Sequence, residues 1–376
     1  MLHGRPGVCF QFLPDMRRGL ISWSREEVPP SVLESRVARL QEKMRGAELG
    51  VVLVYTSFAR PSAVAWLTHF VPYWNEALLV VHPVGAPVLL AAFSKRVHDW
   101  IRSVSHLGEV RSAPDLGRAA AAFLKERTPQ PSRIGVLELD ALPWAVAEPL
   151  VKAGYGAALV DITGLFASIR QPADEVEIRL ARRAAKIAVQ ALKAIPTGAK
   201  RASEVLSALE SSARLDGAEE VLPRLAPDLR EDATLRRLEG DALLGERYAV
   251  QLSVAYKATW IRITRSVSTH AVPPSWRSAA ERFVETAARL NEANLSLEPQ
   301  AAGSARPGKP AAWTLETCRG SPPLSVVASG ETPSRTALPG GSLACLSLQL
   351  DLDDGPWLGG EPLILGRRGQ PSRRLI

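Results

Sequence analysis

The stretch Tyr248–Val267, YAVQLSVAYKATWIRITRSV, decides how the rest of the chain is read. It splits into two alternating runs around a short turn. One face carries Val250, Leu252, Val254, Ile261 and Ile263, and the other carries Gln251, Ser253, Trp260, Arg262 and Thr264. Alternation of period two predicts a hairpin with one buried face. Across the turn, the spacing pairs Gln251 with Arg262 and Ser253 with Trp260. The polar face therefore gathers an amide, a cation and hydroxyls, with no carboxylate.

Upstream, "IRQPADEVEI" marks a boundary. Pro172 breaks the chain, and Asp174 with Glu177 three residues on forms a capping-box pattern. The helix that follows has Leu180, Ala184, Ile187, Ala188, Ala191 and Ile195 on one stripe. A second helix is expected from Ser203, as cap, to Gly217. Before the boundary, a helix over "SVLESRVARLQEKMRGAELG" precedes strand-like runs "GVVLVYTS", "AVAWLTHF" and "EALLVVHPVGAPVLLAAF", the last turning at "HPVGAP". Helices over "APDLGRAAAAFLKERT" and "PWAVAEPLVKAG" alternate with a strand in "RIGVLELDAL" and with "GAALVDITGLFASIR", which runs from strand into helix. Alternating strands and helices predict an α/β first half. After the hairpin come a helix around "SAAERFVETAARLNEANLSL", a loop over "EPQAAGSARPGKPAAW", and strands in "SLACLSLQLDL" and "EPLILGRR".

In this order, the α/β half, the "IRQPADEVEIRLARRAAKIAVQAL" junction and the "GERYAVQLSVAYKATWIRITRSV" hairpin resemble the creatinase/aminopeptidase P/prolidase family of metallopeptidase-like proteins. The likeness runs from about Ser31 to the C-terminus. It implies an α/β creatinase-like N-terminal domain over 31–169, then an α+β pita-bread domain over 174–376, with residues 1–30 as an extension. It also implies a homodimer formed through the N-terminal domain.

Active members of this family hold two metal ions with two Asp, one His and two Glu. Anchored on Ile263-Thr264-Arg265, the family's two Asp positions fall on Gln251 and Arg262, eleven residues apart. The two Glu positions fall on Ser347 and Gly360. Glu361 is one residue out of register, which reverses its face in a strand. His270 follows Arg262 by eight residues, about 26 Å along an extended strand. A guanidinium cannot lose its proton to become a ligand and repels a divalent ion. No metal and no other cofactor is expected.

Arg262 on a half-buried face calls for a negative partner. Glu361 is the internal candidate, and an anionic ligand such as a carboxylate is the external one. The leading expectation is thus a non-catalytic relative that binds a small molecule or peptide, anionic in character, in the former pocket. Its binding residues would be Gln251, Ser253, Trp260, Arg262, Thr264 and Ser347. The alternative is a metal-independent, creatinase-like hydrolase or lyase acting on a small C–N substrate, with His270 as the sole histidine candidate. A third reading is a protein-interaction module, similar to the peptidase-like domain of a histone chaperone.

The remaining features are consistent with an ordinary soluble chain. Lysine and arginine total 46 against 39 acids, a net charge of +7. The excess is scattered in pairs such as Arg182-Arg183 and Arg236-Arg237, so nucleic acid is not the expected partner. No run of about 18 apolar residues suggests a membrane span. No apolar core long enough for a signal peptide opens the chain, and Cys9, Cys318 and Cys345 show no CxxC pairing, so a cytoplasmic setting is expected. Asp351, Asp353 and Asp354 read as a solvated strand end rather than a calcium site. "GGSLA" at 340–344 has no following histidine and is no nucleophile elbow. Trp66, Trp74 and Trp100 read as core or interface anchors. "NLS" at Asn294 is a glycosylation pattern only in a secreted chain.

Overall fold

The computed structural model describes residues 22–72, 75–128, 133–295, 309–317, 326–328 and 338–376. Trp74, Cys9 and Cys318 lie outside them.

The first half is built on β1 (Val51–Thr56), β2 (Ala77–Val81), β3 (Val88–Ala91), β4 (Glu109–Ser112), β5 (Ile134–Val136) and β6 (Leu159–Asp161). Their order in the sheet is β4-β3-β2-β1-β5-β6. β1, β5 and β6 run parallel, while β2 is antiparallel to both of its neighbours. Helices α1 (Pro30–Gly46), α2 (Ser62–Thr68), α3 (His98–Val104), α4 (Leu116–Arg127), α5 (Trp144–Lys152) and α6 (Thr163–Ile169) cover the two faces. Val52, Val54, Leu79 and Val81 pack with Leu40, Trp66 and Phe166 on one side; Val51, Leu53, Leu78 and Val80 pack with Phe123 and Leu150 on the other. Burial on both faces is why these strands read as unbroken apolar runs.

"AVAWLTHF" is a helix, α2, and not the expected strand. All of Val64 to Thr68 is buried, and a short apolar run with no exposed side has no period to separate helix from strand.

The chain then turns through Gln171–Pro172 into α7 (Glu175–Lys193), and the capping box is present as expected. Asp174 accepts the Glu177 N–H at 2.9 Å. This turn is a packed joint rather than an open linker. Arg36 from α1 clamps Asp174 through Nε at 2.8 Å and Nη2 at 3.0 Å, and donates to the Trp66 carbonyl at 2.9 Å. Arg170 reaches Glu177 at 3.5 Å. The guanidiniums of Arg36, Arg39 and Arg170 all lie over the Trp66 ring, 5.1, 5.3 and 5.6 Å from its centroid. Trp66 is indeed an anchor, of both core and junction.

Helix α8 spans Ala202–Leu215 and is followed by β7 (Glu220–Ala226), β8 (Arg247–Tyr256), β9 (Thr259–Ser268), α9 (Pro274–Arg289), β10 (Lys309–Thr317), β11 (Val326–Ala328), β12 (Leu343–Leu352), β13 (Gly355–Ile364) and β14 (Arg373–Arg374). Ser203 is not the cap of α8. The Asp241 carboxylate accepts from its N–H at 2.9 Å, a distant partner that local pattern cannot show. Lys309–Trp313, expected as loop, belongs to β10. The second sheet runs β11-β10-β12-β13-β9-β8-β7, with β14 added beside β13. Small residues on α7 (Ala181, Ala184, Ala188, Ala191) let it lie close on Val250, Leu252, Val254, Ile261 and Ile263. The apolar face of the hairpin is therefore the face that α7 covers, and the polar face is the opposite one.

Among the described residues no helix is long and apolar enough to cross a membrane.

Candidate functional site

The hairpin closes on a two-residue turn, Lys257-Ala258, with both residues at positive φ (47° and 59°). That geometry matches the right-handed twist of the strands, but it strains side chains other than glycine. Two contacts hold it. The Glu219 carboxylate accepts the Ala258 N–H at 3.0 Å, and Lys257 donates to the Ser22 carbonyl at 2.7 Å.

This turn sets a register that differs from the expected one by one pair. Gln251 lies opposite Thr264, Ser253 opposite Arg262, and Ala255 opposite Trp260. Gln251 and Arg262 are diagonal neighbours instead of direct partners. The faces are unchanged, because the shift moves each partner by two residues.

The register carries one row across the sheet. Gln251 faces Thr264, Thr264 faces Gly360, Gly360 faces Ser347, and Ser347 faces Thr314. Residues directly opposite share a face. Gln251 and Thr264 are buried and joined, Nε2 to Oγ1, at 3.3 Å. A Cβ at Gly360 would sit 2.9 Å from Thr264 Oγ1, so the row has no room for a longer side chain there unless Thr264 moves. In the next row, Arg262 donates from Nε to Ser253 at 3.1 Å and from Nη1 to Glu316 at 2.6 Å. Its backbone N–H meets the Cys345 thiol sulfur at 3.2 Å.

The internal partner of Arg262 is therefore Glu316 of β10, and not Glu361. Glu361 faces the other way, as the one-residue slip requires: it lies opposite Leu346 while Gly360 lies opposite Ser347. It is buried between Arg265, at 2.6 Å, and Arg374. Glu316 was missed because its strand follows a Pro/Gly-rich stretch. The alternation of Trp313, Leu315 and Thr317 with Thr314 and Glu316 was the signal available.

A dinuclear centre needs several anionic oxygens and an imidazole. The face offers an amide, hydroxyls, a glycine and a guanidinium. Its carboxylate, Glu316, is bound to that guanidinium. Among the described residues no three His, Cys, Asp or Glu come together as a metal would need. The residues present do not fit the two-metal group.

His270 lies beyond the end of β9, exposed, with Nδ1 3.0 Å from Thr269 Oγ1. It lines neither the cavity beside Trp260 nor the one against α9. Asp354 is a structural anchor: it pairs with Arg247 at 3.1 Å and accepts from Ser275 at 2.9 Å.

The larger cavity, of about 750 Å³, opens where the two sheets' ends meet. Trp260, Ala255 and Leu222 form one wall, and Phe58, Leu139 and Leu142 form another. Of the six residues singled out from sequence, only Trp260 lines it. The walls are mostly apolar, and Glu219 reaches them from the base of the turn. Burial pushes the Glu219 carboxyl up to about 7, against the opposing pull of the Ala258 N–H and the Lys257 charge. A second cavity, of about 550 Å³, lies against α9, among Arg265, Arg374, Trp276 and Trp357.

Residues 36–171 match the family model described as creatinase/prolidase N-terminal domain. The fold over most of the chain is shared with solved structures. The prolidase of Pyrococcus horikoshii is 15% identical, with 91% of this chain and 97% of that one covered, at a TM-score of 0.65. The X-Pro aminopeptidase of Thermotoga maritima is 13% identical, with 90% and 96% covered, at 0.67. The Xaa-Pro dipeptidase of Bacillus anthracis is 14% identical, with 91% and 97% covered, at 0.66. No curated protein sequence matches significantly.

Proposed function

Starting from a chain with a creatinase/prolidase N-terminal domain and the pita-bread fold of prolidases and X-Pro aminopeptidases, we propose a non-catalytic member of this group that binds a small molecule. The proposal places the ligand in the cavity between the two domains, 31–169 and 174–376, beside the face where the resembled enzymes hold metal. A short peptide fits this reading only with one end in this cavity, because the side chains of the polar face are engaged with one another. One observation carries the reading. Arg262, Ser253 and Glu316 satisfy one another where metal ligands would stand, while a mostly apolar space of about 750 Å³ remains open next to them. Concave, apolar sites with a few placed polar groups, set between domains, are where small ligands bind.

The expected preference for an anion at Arg262 does not follow, because Glu316 already occupies its guanidinium. A homodimeric and cytoplasmic setting remains part of the proposal. The resemblance supports both, and the absence of a disulfide at buried Cys345 fits the second.

A thermal-shift screen of small amines, carboxylates, alcohols and Xaa-Pro dipeptides tests the reading. Compounds that stabilise the chain should lose their effect in Leu222→Trp, which fills the cavity from a half-exposed rim position. None of them should be consumed. Stabilisation that survives Leu222→Trp, or turnover of a stabilising compound, would sink the proposal.

A further inference from the structure

The walls of the interdomain cavity carry more acid than base. Glu138, Asp140, Asp161, Glu219 and Glu220 line it, against Arg60 and Arg170. Most of these charges are already committed. Arg60 pairs with Glu138 at 3.4 Å, and Arg170 is held by Glu177 and by Ser62 at 2.9 Å. Asp161 accepts from the N–H groups of Leu139 and Thr163 and from the Thr163 hydroxyl. Glu220 has Arg214 at 3.9 Å.

Asp140 is exposed, whereas Glu219 is half-buried. It accepts from the turn amides of Ala258 and Lys257 and feels the Lys257 charge, but among the described residues no cation forms an ion pair with it. Lys257, the nearest cation on the hairpin, spends its ammonium on Ser22, at 2.7 Å to the carbonyl and 2.8 Å to the hydroxyl. A carboxylate withdrawn from water without a counter-ion is costly, and a bound cation removes that cost. Trp260 and Phe58 supply aromatic surface on the same walls. An aromatic face attracts a cation as well as an apolar body.

We propose that this cavity takes an organic cation, a molecule with an apolar body and one amine or guanidinium, its charge set at Glu219 and its body against Trp260. The inference rests on the cavity reading above and names the ligand class for it. It also carries a pH dependence. The charged and titratable groups around Glu219 are Glu220 beside it, Lys257 and Tyr256 of the hairpin, and Arg214 of α8, which donates to the Glu219 carbonyl at 3.1 Å. Tyr256 is held well above its ordinary value by burial and by Glu27, so it stays neutral. Burial holds the Glu219 carboxyl up at about 7. A cation binds its deprotonated form, so affinity weakens as pH falls below about 7, tending toward tenfold per unit, and levels off above.

Calorimetric titration with benzylamine, benzyl alcohol and benzoate, on wild type, Glu219→Gln and Leu222→Trp, tests this. Glutamine keeps an oxygen for the Ala258 N–H, so the turn is retained. Benzylamine should bind wild type at least about tenfold more tightly than benzyl alcohol, a preference worth about 1.4 kcal/mol. Benzoate should be the weakest. Glu219→Gln should lower benzylamine to the level of the alcohol and flatten the pH profile. If benzoate binds as well as benzylamine, or Glu219→Gln leaves benzylamine unchanged, the cation assignment is overturned. If the alcohol or benzoate then still binds and Leu222→Trp abolishes it, the cavity reading survives that loss. If none of the three binds, both fall.

Discussion

Arg36→Met is expected to remove about 2–4 kcal/mol of stability, the cost of leaving the half-buried Asp174 carboxylate with only Arg39, at 3.6 Å, as its partner. Arg36 is 4% exposed and holds both oxygens of Asp174, the residue that caps α7. The same guanidinium ties the Trp66 carbonyl, so one side chain joins α1, α2 and the start of the second half. Methionine keeps the stem and removes the charge. Burial pushes the Asp174 carboxyl up, but Arg36, the Glu177 N–H and Arg39 outweigh it, and the net shift is downward. A lowered carboxyl contributes stability that is present above its unfolded value of about 4 and is lost as pH falls through the folded value. The gap between wild type and Arg36→Met should therefore be widest at neutral pH and shrink toward acid. Denaturant midpoints across that range check this, and equal midpoints at neutral pH would contradict it. Limited proteolysis offers a second readout, with the 170–174 joint resistant in wild type and cut early in the variant.

Arg262→Met should cost about 1–3 kcal/mol, less than a fully buried pair because both Arg262 and Glu316 are 18% exposed. The loss has a specific source. Glu316 would keep its charge on a face whose other members, Gln251, Ser253, Thr264 and Ser347, are neutral. Adding Glu316→Gln to Arg262→Met should recover most of the stability, since an amide needs no counter-ion there. A double-mutant cycle measures the coupling. If Arg262→Met is as stable as wild type and the cycle shows no coupling, Arg262 is free for an external anion, and the exclusion of an anionic ligand at that position fails.

The faces of the hairpin were legible in the sequence because alternation depends only on the strands' own pleat. The pairing across it was not, because it depends on where the turn falls. Two non-glycine residues at positive φ, Lys257 and Ala258, carry no local signature, and Glu219 and Ser22 that hold them are distant in sequence. The same limit explains the missed partner of Arg262. Glu316 becomes its neighbour only through the β10 to β12 pairing, which brings Glu316 opposite Cys345. The reversal of Glu361 followed from strand geometry alone, and its arginine partners confirm the face but could not be named beforehand. β7 went unread because Pro223 interrupts it, a residue tolerated on the sheet's edge. The capping box at Asp174 was legible because all of its members are within four residues.

The measurement that bears most directly on the central claim is elemental analysis of the chain after purification in manganese, cobalt or zinc and dialysis. A face whose cation is already paired to its acid, and whose glycine row has no space for a fifth ligand, should retain well under one metal ion per chain. Two tightly held ions per chain would mean that a metal centre exists and that Gln251 and Arg262 do not stand where its ligands belong.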